Sequence, residues 1–279
     1  MAAIEIVRAT RAEEIEEWSA ALEAGGAGLL FSRVVWAETL AAALGASWSL
    51  HLCRIGGEIA GGALLLTEGA SGRERVRRSA PYPLFSLHVL HREGVSPTRR
   101  IPQGVEVLSS LARELASVYG RPSCDASPSL VDLRALSWAG WRVEPRVGFC
   151  LPLSREGDES PPLVEAFSGE PNDPVARIAL ERKMGAAYAA RVRSGPAATL
   201  LVLRGERRLY ALVGRGAARA LPASRRVAVA RSLSSLPEAK GKEEILFFGD
   251  GWEEWFACEA IEPLRIVPAA RVFGPGRSR

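Results

Sequence analysis

Lysine is nearly missing from this chain: Lys183, Lys240 and Lys242 are three of 36 basic residues, which leaves 33 arginines. Cysteine is sparse as well. The four thiols, Cys53, Cys124, Cys150 and Cys258, lie far apart with no Cys-x-x-Cys pair, which argues against a cysteine zinc site and against a disulfide framework. Histidine occurs three times, and none follows His91. His88 and His91 alternate to opposite faces if they lie on a strand, so the pair does not make a zinc site. No Gly-x-Ser-x-Gly occurs, and the serine hydrolase of that pattern is excluded. Long apolar runs are absent too. The longest, Ile59-Ala-Gly-Gly-Ala-Leu-Leu-Leu66, falls far short of the roughly 20 residues that cross a bilayer, and Met1 is followed by no basic-then-apolar leader. A cytoplasmic protein with no membrane span and no metal is the expectation.

What is present suits a folded, water-soluble chain. Hydrophobic residues make up 47% and charged residues 24% of 279 positions, a length that suggests two lobes. The net charge of +4 is carried by arginine, which with abundant Ala and Gly reflects GC-rich coding first and an affinity for phosphate or carboxylate second. The aromatics do not interleave with the arginines as a base-stacking platform requires, so RNA binding ranks below the other readings.

Periodicity places a strand at Ile4–Val7, a helix behind a capping box at Thr10–Glu13 and running to about Gly25, and a second helix from Ser32 to Gly45 with Trp36 inward. A hairpin follows, Trp48–Ile55 and Glu58–Thr67 about the Gly56-Gly57 turn. Next come an arginine-rich turn, a proline-confined strand within Ser79–Leu90, and a helix ending at Gly120. The run Val131–Ser154 alternates like sheet around Trp138 and Trp141. Residues 155–174 read as a linker rich in proline and glycine. Beyond it lie a helix over Ala176–Ser194, a hairpin over Ala198–Val213, a helix over Pro222–Leu236, a strand at Glu244–Phe248, a short helix over Asp250–Glu259 and a closing strand at Leu264–Val267. The expected fold class is α/β (α+β): a lobe at 1–154 and a shortened lobe at 175–279, each a mixed sheet flanked by helices and together a duplication at the level of fold.

Four stretches, Phe31-Ser-Arg-Val-Val-Trp36, Gly61-Gly-Ala-Leu-Leu-Leu66, Pro81-Tyr-Pro-Leu-Phe85 and Leu133–Trp141 with Pro145-Arg146 behind it, resemble the Fem-type branch of the GNAT acyltransferase superfamily. The resemblance covers about residues 28–154 and weakens afterwards, where Phe247–Trp252 with Trp255-Phe256 is its remaining trace. It implies tandem GNAT-like lobes and transfer of an acyl or aminoacyl group to an amine or sugar-linked acceptor in cell-envelope or polysaccharide assembly. The donor implied is acyl-CoA or charged tRNA. The phosphate loop Arg-x-x-Gly-x-Gly/Ala of CoA-dependent relatives has no clean copy here; Gly214-Arg-Gly-Ala217 is glycine-rich but reads equally as a turn.

On that reading Tyr82, Asp132 and Asp250 handle protons, although Asp132 equally suits a turn acceptor and Asp250 a helix N-cap. Trp36, Tyr82, Phe85, Arg134, Trp138, Trp141 and Trp252 would line the substrate groove, with Trp138 and Trp141 equally readable as packing between lobes. Arg73, Arg75, Arg77 and Arg78 would meet phosphate, or form a solvated turn. The alternative reading of the whole chain is a GNAT-like scaffold that binds a partner or ligand without catalysis.

Overall fold

The computed structural model describes residues 3–25, 28–70, 72–91, 95–130, 132–153, 163–167, 171–192, 195–213, 223–248 and 265–275, with the backbone alone at 97, 191–192, 195–198, 223–227 and 266. The chain divides into two compact units. The first comprises Met1–Ser79, Leu84–Arg146 and Ala269–Arg279, and the second Ala80–Pro83 and Val147–Pro268.

In the first unit, β1 (Ile4–Arg8) leads to α1 (Ala12–Ala24), a 3-10 turn at Leu30–Ser32 and α2 (Val34–Leu44). The capping box sits one residue later than the sequence pattern suggests: Arg11 is the N-cap, and Glu14 Oε2 accepts from the amides of Thr10 and Arg11 at 2.8 and 3.1 Å. The hairpin of β2 (Ser47–Ile55) and β3 (Glu58–Glu68) turns on Gly56 and Gly57, both at positive φ (60° and 86°), the conformation that a two-residue hairpin of this twist demands. On the edge of β3 opposite β2, β4 (Arg75–Val76) pairs with Thr67 and Glu68, and β5 (Phe85–Val89) pairs with Gly61–Ala63. The long helix α3 (Pro97–Tyr119) then crosses over to β6 (Ser123–Ala126), which lies parallel to β5. Strand order is β1-β2-β3-β5-β6, and the end of β13 (Arg265–Phe273) adds antiparallel to β6.

Alternation along these strands builds two cores. Cys53, Ala63, Leu65 and Leu87 turn toward Val107, Leu111 and Leu115 of α3. Gly62 lies under Trp18 of α1: a Cβ there would sit 2.8 Å from Trp18 Cζ3. A Cβ on Gly61 would sit 2.6 Å from Val107 Cγ1. The two glycines let helices press on both faces of β3.

After β6 the expected sheet is interrupted. Arg134–Trp138 forms a short helix, α4, and only Arg142–Pro152 continues as β7. Asp132 ties its carboxylate to the Arg134 amide and so starts the helical turn, a local bond that overrides the alternating pattern.

In the second unit the order is β7-β12-β11-β10-β9-β8, where β8 is Val164–Ala166, β9 Gly185–Val192, β10 Gly195–Arg204, β11 Arg208–Val213 and β12 Glu244–Phe247. The helix expected at 176–194 is instead α5 (Pro174–Glu181) followed by β9. Lys183 at φ 58° ends the helical course, and the alanines of β9 are carried in the sheet by their antiparallel pairing with β10. α6 (Ala223–Ser232) crosses between β11 and β12, which run parallel. Among the described residues each unit therefore shows a parallel pair bridged by a helix, β5-α3-β6 and β11-α6-β12. The expected boundary at 154 lies outside the described residues, and the one at 174 falls on the first residue of α5.

Candidate functional site

Parallel strands joined by a crossover helix leave a crevice beyond their carboxyl ends, where chain reversal separates the loops and helix N-termini converge. In the first unit that place is the end of β5 and β6, beside the described residues 90–91, 95–96, 127–130 and 132–133. In the second unit the residues that follow β11 and β12, 214–222 and 249–264, lie outside the described residues, and with them Gly214–Ala217, Asp250, Trp252 and Trp255.

The two strands of the first crevice do not run in step. Phe85 pairs with Asp125 and Leu87 with Ala126, so Ser86 is an extra residue on β5. His88 Nε2 donates to the Phe85 carbonyl at 2.8 Å, and the amide of Ser127 reaches the Leu87 carbonyl at 3.1 Å. His88 is completely buried, and burial pulls its pKa down to about 4, so the ring is neutral near pH 7. His91 stands three residues on, where a Cβ on Gly104 of α3 would lie 3.8 Å from its Cε1, and its pKa is also lowered, first by burial and then by Arg100. The Nδ1 atoms of both histidines are buried with no hydrogen-bond partner, an uncommon condition in a protein interior.

Aromatic rings pack around β5. Phe31 lies 5.9 Å from Phe85 and 5.4 Å from Trp36, centroid to centroid, and Trp18 meets His88 edge-on at 5.6 Å. Beside Phe85, on β6, Asp125 accepts from Arg271 Nε at 2.7 Å across the β6–β13 pair. Both side chains of that ion pair are nearly buried.

The residues singled out in the sequence fall into four places. Trp36 and Phe85 lie together in the first unit's core, at 0% and 3% exposure. Asp132, Arg134 and Trp138 form a surface group on the loop and helix that follow β6. Arg134 grips the Asp132 carboxylate through Nε and Nη2 at 2.9 and 2.6 Å, and its guanidinium carbon stands 5.8 Å from the Trp138 ring centroid. Trp138 is 70% exposed, whereas Trp141 is 4% exposed and packs in the α3 core, so the two tryptophans serve different ends. Tyr82, in the segment grouped with the second unit, is buried and donates its hydroxyl to Asp173, whose other oxygen caps α5 through the amides of Val175 and Ala176. Arg75 and Arg77 pair with Glu68 at 2.9 and 3.6 Å, and Arg73 and Arg78 lie at the surface of the same turn.

Among the described residues no group of three His, Cys, Asp or Glu is placed to hold a metal, and no helix is long and apolar enough to cross a membrane.

No family model matches the sequence, and no curated protein matches it. Solved structures do. A tandem GNAT protein from the clavulanic acid biosynthesis pathway superposes with a TM-score of 0.51 over 99% of this chain and 100% of that one, at 13% identity. The fold is GNAT-like. Other neighbours include a protein from Pyrococcus horikoshii described as a putative acetyltransferase (TM-score 0.49, 14% identity, 99% of this chain and 90% of that one). A glucosamine N-acetyltransferase region of a fungal multi-domain β-N-acetylglucosaminidase is also similar, at TM-score 0.48 and 11% identity; 98% of this chain is covered, spanning 38% of that one.

Asp125 and Arg271 are positions that sequence reasoning passed over, and His88 and His91 were weighed there only as a metal pair. Asp125 was visible in principle as a charge flanked by Cys124 and Ala126 on a short strand, but that strand was itself missed. Its partner lies 146 residues away, a pairing that no local pattern announces.

Proposed function

We propose that the protein is an acyltransferase that moves an acyl group from an acyl-CoA thioester to an amine-bearing small molecule, using the crevice beyond β5 and β6. The observation that carries this reading is the offset parallel pair of β5 and β6, beside which two buried histidine nitrogens stand without partners. The GNAT-like fold supports it. In the reaction the acceptor nitrogen bonds to the acyl carbon, the carbon–sulfur bond breaks, and the proton lost from nitrogen ends on the departing sulfur. Such a transfer asks the protein chiefly for positioning and for donors toward the developing oxyanion. The exposed group of Asp132, Arg134 and Trp138 lies after β6 and is the surface we assign to substrate contact; Trp36, Phe85 and Trp141 support the fold behind it.

The finer Fem-like reading adds a sugar-linked acceptor in envelope or polysaccharide assembly, aminoacyl-tRNA as a second possible donor, a tandem of two GNAT-like lobes and a cytoplasmic location. Its support is the four sequence stretches between Phe31 and Arg146. One experiment tests both readings. Calorimetric titration with acetyl-CoA, longer acyl-CoAs, UDP-sugars and aminoacyl-tRNA should give saturable binding to an acyl-CoA, followed by amine-dependent thiol release. Binding of aminoacyl-tRNA alone would shift the reading to the Fem-like donor, and binding of none would favour the non-catalytic scaffold.

A further inference from the structure

A bulge of one residue on an inner strand is held only if the displaced backbone finds partners, since a buried carbonyl without one is costly. On β5 the partner is a side chain of the same strand. His88 Nε2 lies 2.8 Å from the Phe85 carbonyl oxygen, spanning the extra residue Ser86. A carbonyl only accepts, so the ring carries its hydrogen on Nε2. Ser86 does not compete for this work, because its hydroxyl points to the Leu84 carbonyl at 3.3 Å.

The ring itself has little freedom. The His88 backbone pairs with Gly62 on β3, the Trp18 indole covers Gly62, and the same indole meets the His88 ring edge-on at an interplanar angle of 76°. Full burial keeps the ring from turning to solvent. The strut therefore has a fixed place, a fixed tautomer and one bond to make.

We propose that His88 is a positioning residue: its bond to the Phe85 carbonyl holds the β5 bulge and thereby sets the carboxyl end of β5, from Val89 to His91, in the geometry that receives the acyl donor. The bulge throws the end of β5 out of step with β6 where the crevice begins, and His91 follows at once against α3. The part concerning the donor rests on the acyl-CoA reading above; the part concerning the bulge does not.

Two variants separate these parts. His88→Phe keeps a flat ring and removes the donor, while His88→Gln keeps an N–H that reaches the Phe85 carbonyl. Crystal structures of both and calorimetric titration with acetyl-CoA are the measurements. Expected are a lost or shifted bulge and affinity weakened by about tenfold or more in His88→Phe, with the bulge kept and affinity within about threefold of wild type in His88→Gln. A His88→Phe protein that keeps the bulge overturns the proposal, as does one that loses it yet binds acetyl-CoA like wild type. If wild type binds no acetyl-CoA, the functional reading falls, and the two crystal structures still decide whether His88 holds the bulge. Should His88→Phe not fold, nitrogen-15 spectra of the wild-type protein decide: a proton on Nε2 supports the strut, and a proton on Nδ1 alone overturns it.

Discussion

A methyl group added at Gly62 would sit 2.8 Å from both the His51 carbonyl oxygen and Trp18 Cζ3. Neither neighbour yields easily, one being backbone and the other a completely buried indole. Gly62→Ala should therefore cost roughly 2–3 kcal/mol in a urea titration followed by circular dichroism, although alanine is ordinarily the mildest replacement for glycine. On the other face, Tyr119 at the end of α3 places its hydroxyl 2.8 Å from both Ser49 Oγ and His51 Nε2. Tyr119→Phe leaves those buried groups short of a partner, and a loss of about 1–3 kcal/mol is expected. His51 and His88 also give the molecule an acid limit. Burial lowers the pKa of each from 6.5 to about 4, with Arg8 adding to the effect at His51. The unfolded chain binds these protons first, so the stabilising contribution is whole above pH 6.5 and falls as pH drops toward 4. The loss is roughly 3 kcal/mol for each ring. Urea midpoints at pH 7, 5.5 and 4.5 should fall steeply, and His51→Gln should flatten that dependence.

At the scale of elements, the junction of α5 and β9 shows why part of the fold was legible in the sequence and part was not. The α1, α2 and α3 helices and the β2–β3 hairpin announce themselves by apolar spacing and by glycines at their ends, information that lies within each segment. Gly185-Ala-Ala-Tyr-Ala-Ala reads as helix because alanine favours helices in isolation, yet it is a strand because β8 and β10 flank it. Lys183 marks the change of course with φ 58°, a conformation that side chains other than glycine and asparagine rarely adopt. Lys183→Gly should raise stability by about 1 kcal/mol, and an unchanged or lower thermal midpoint would count against strain there. The candidate site follows the same rule. Asp132 and Arg134 were readable because they bond across two residues, whereas the placement of His88 depends on Gly62 and Trp18, which only the sheet brings near it.

At the scale of the whole molecule, the end of the chain completes the unit in which the chain begins. Residues from Ala269 onward belong to the first unit, and Ala270–Phe273 pair antiparallel with Ser123–Ala126. The Arg271 guanidinium meets Asp125 there, and both side chains have lost most of their water. A carboxylate so placed is tolerable only with its cation, since removing one partner from a buried pair costs about 3–5 kcal/mol while replacing both by apolar groups is often neutral. Arg271→Met should accordingly destabilise the first unit strongly, and the Asp125→Leu, Arg271→Met double variant should recover most of the loss. Hydrogen exchange locates the effect. In Arg271→Met the amides of β5 and β6 should lose protection, although the substitution is 146 residues from Asp125 in sequence. Equal loss in the single and double variants would show instead that Arg271 acts through packing of its stem rather than through its charge.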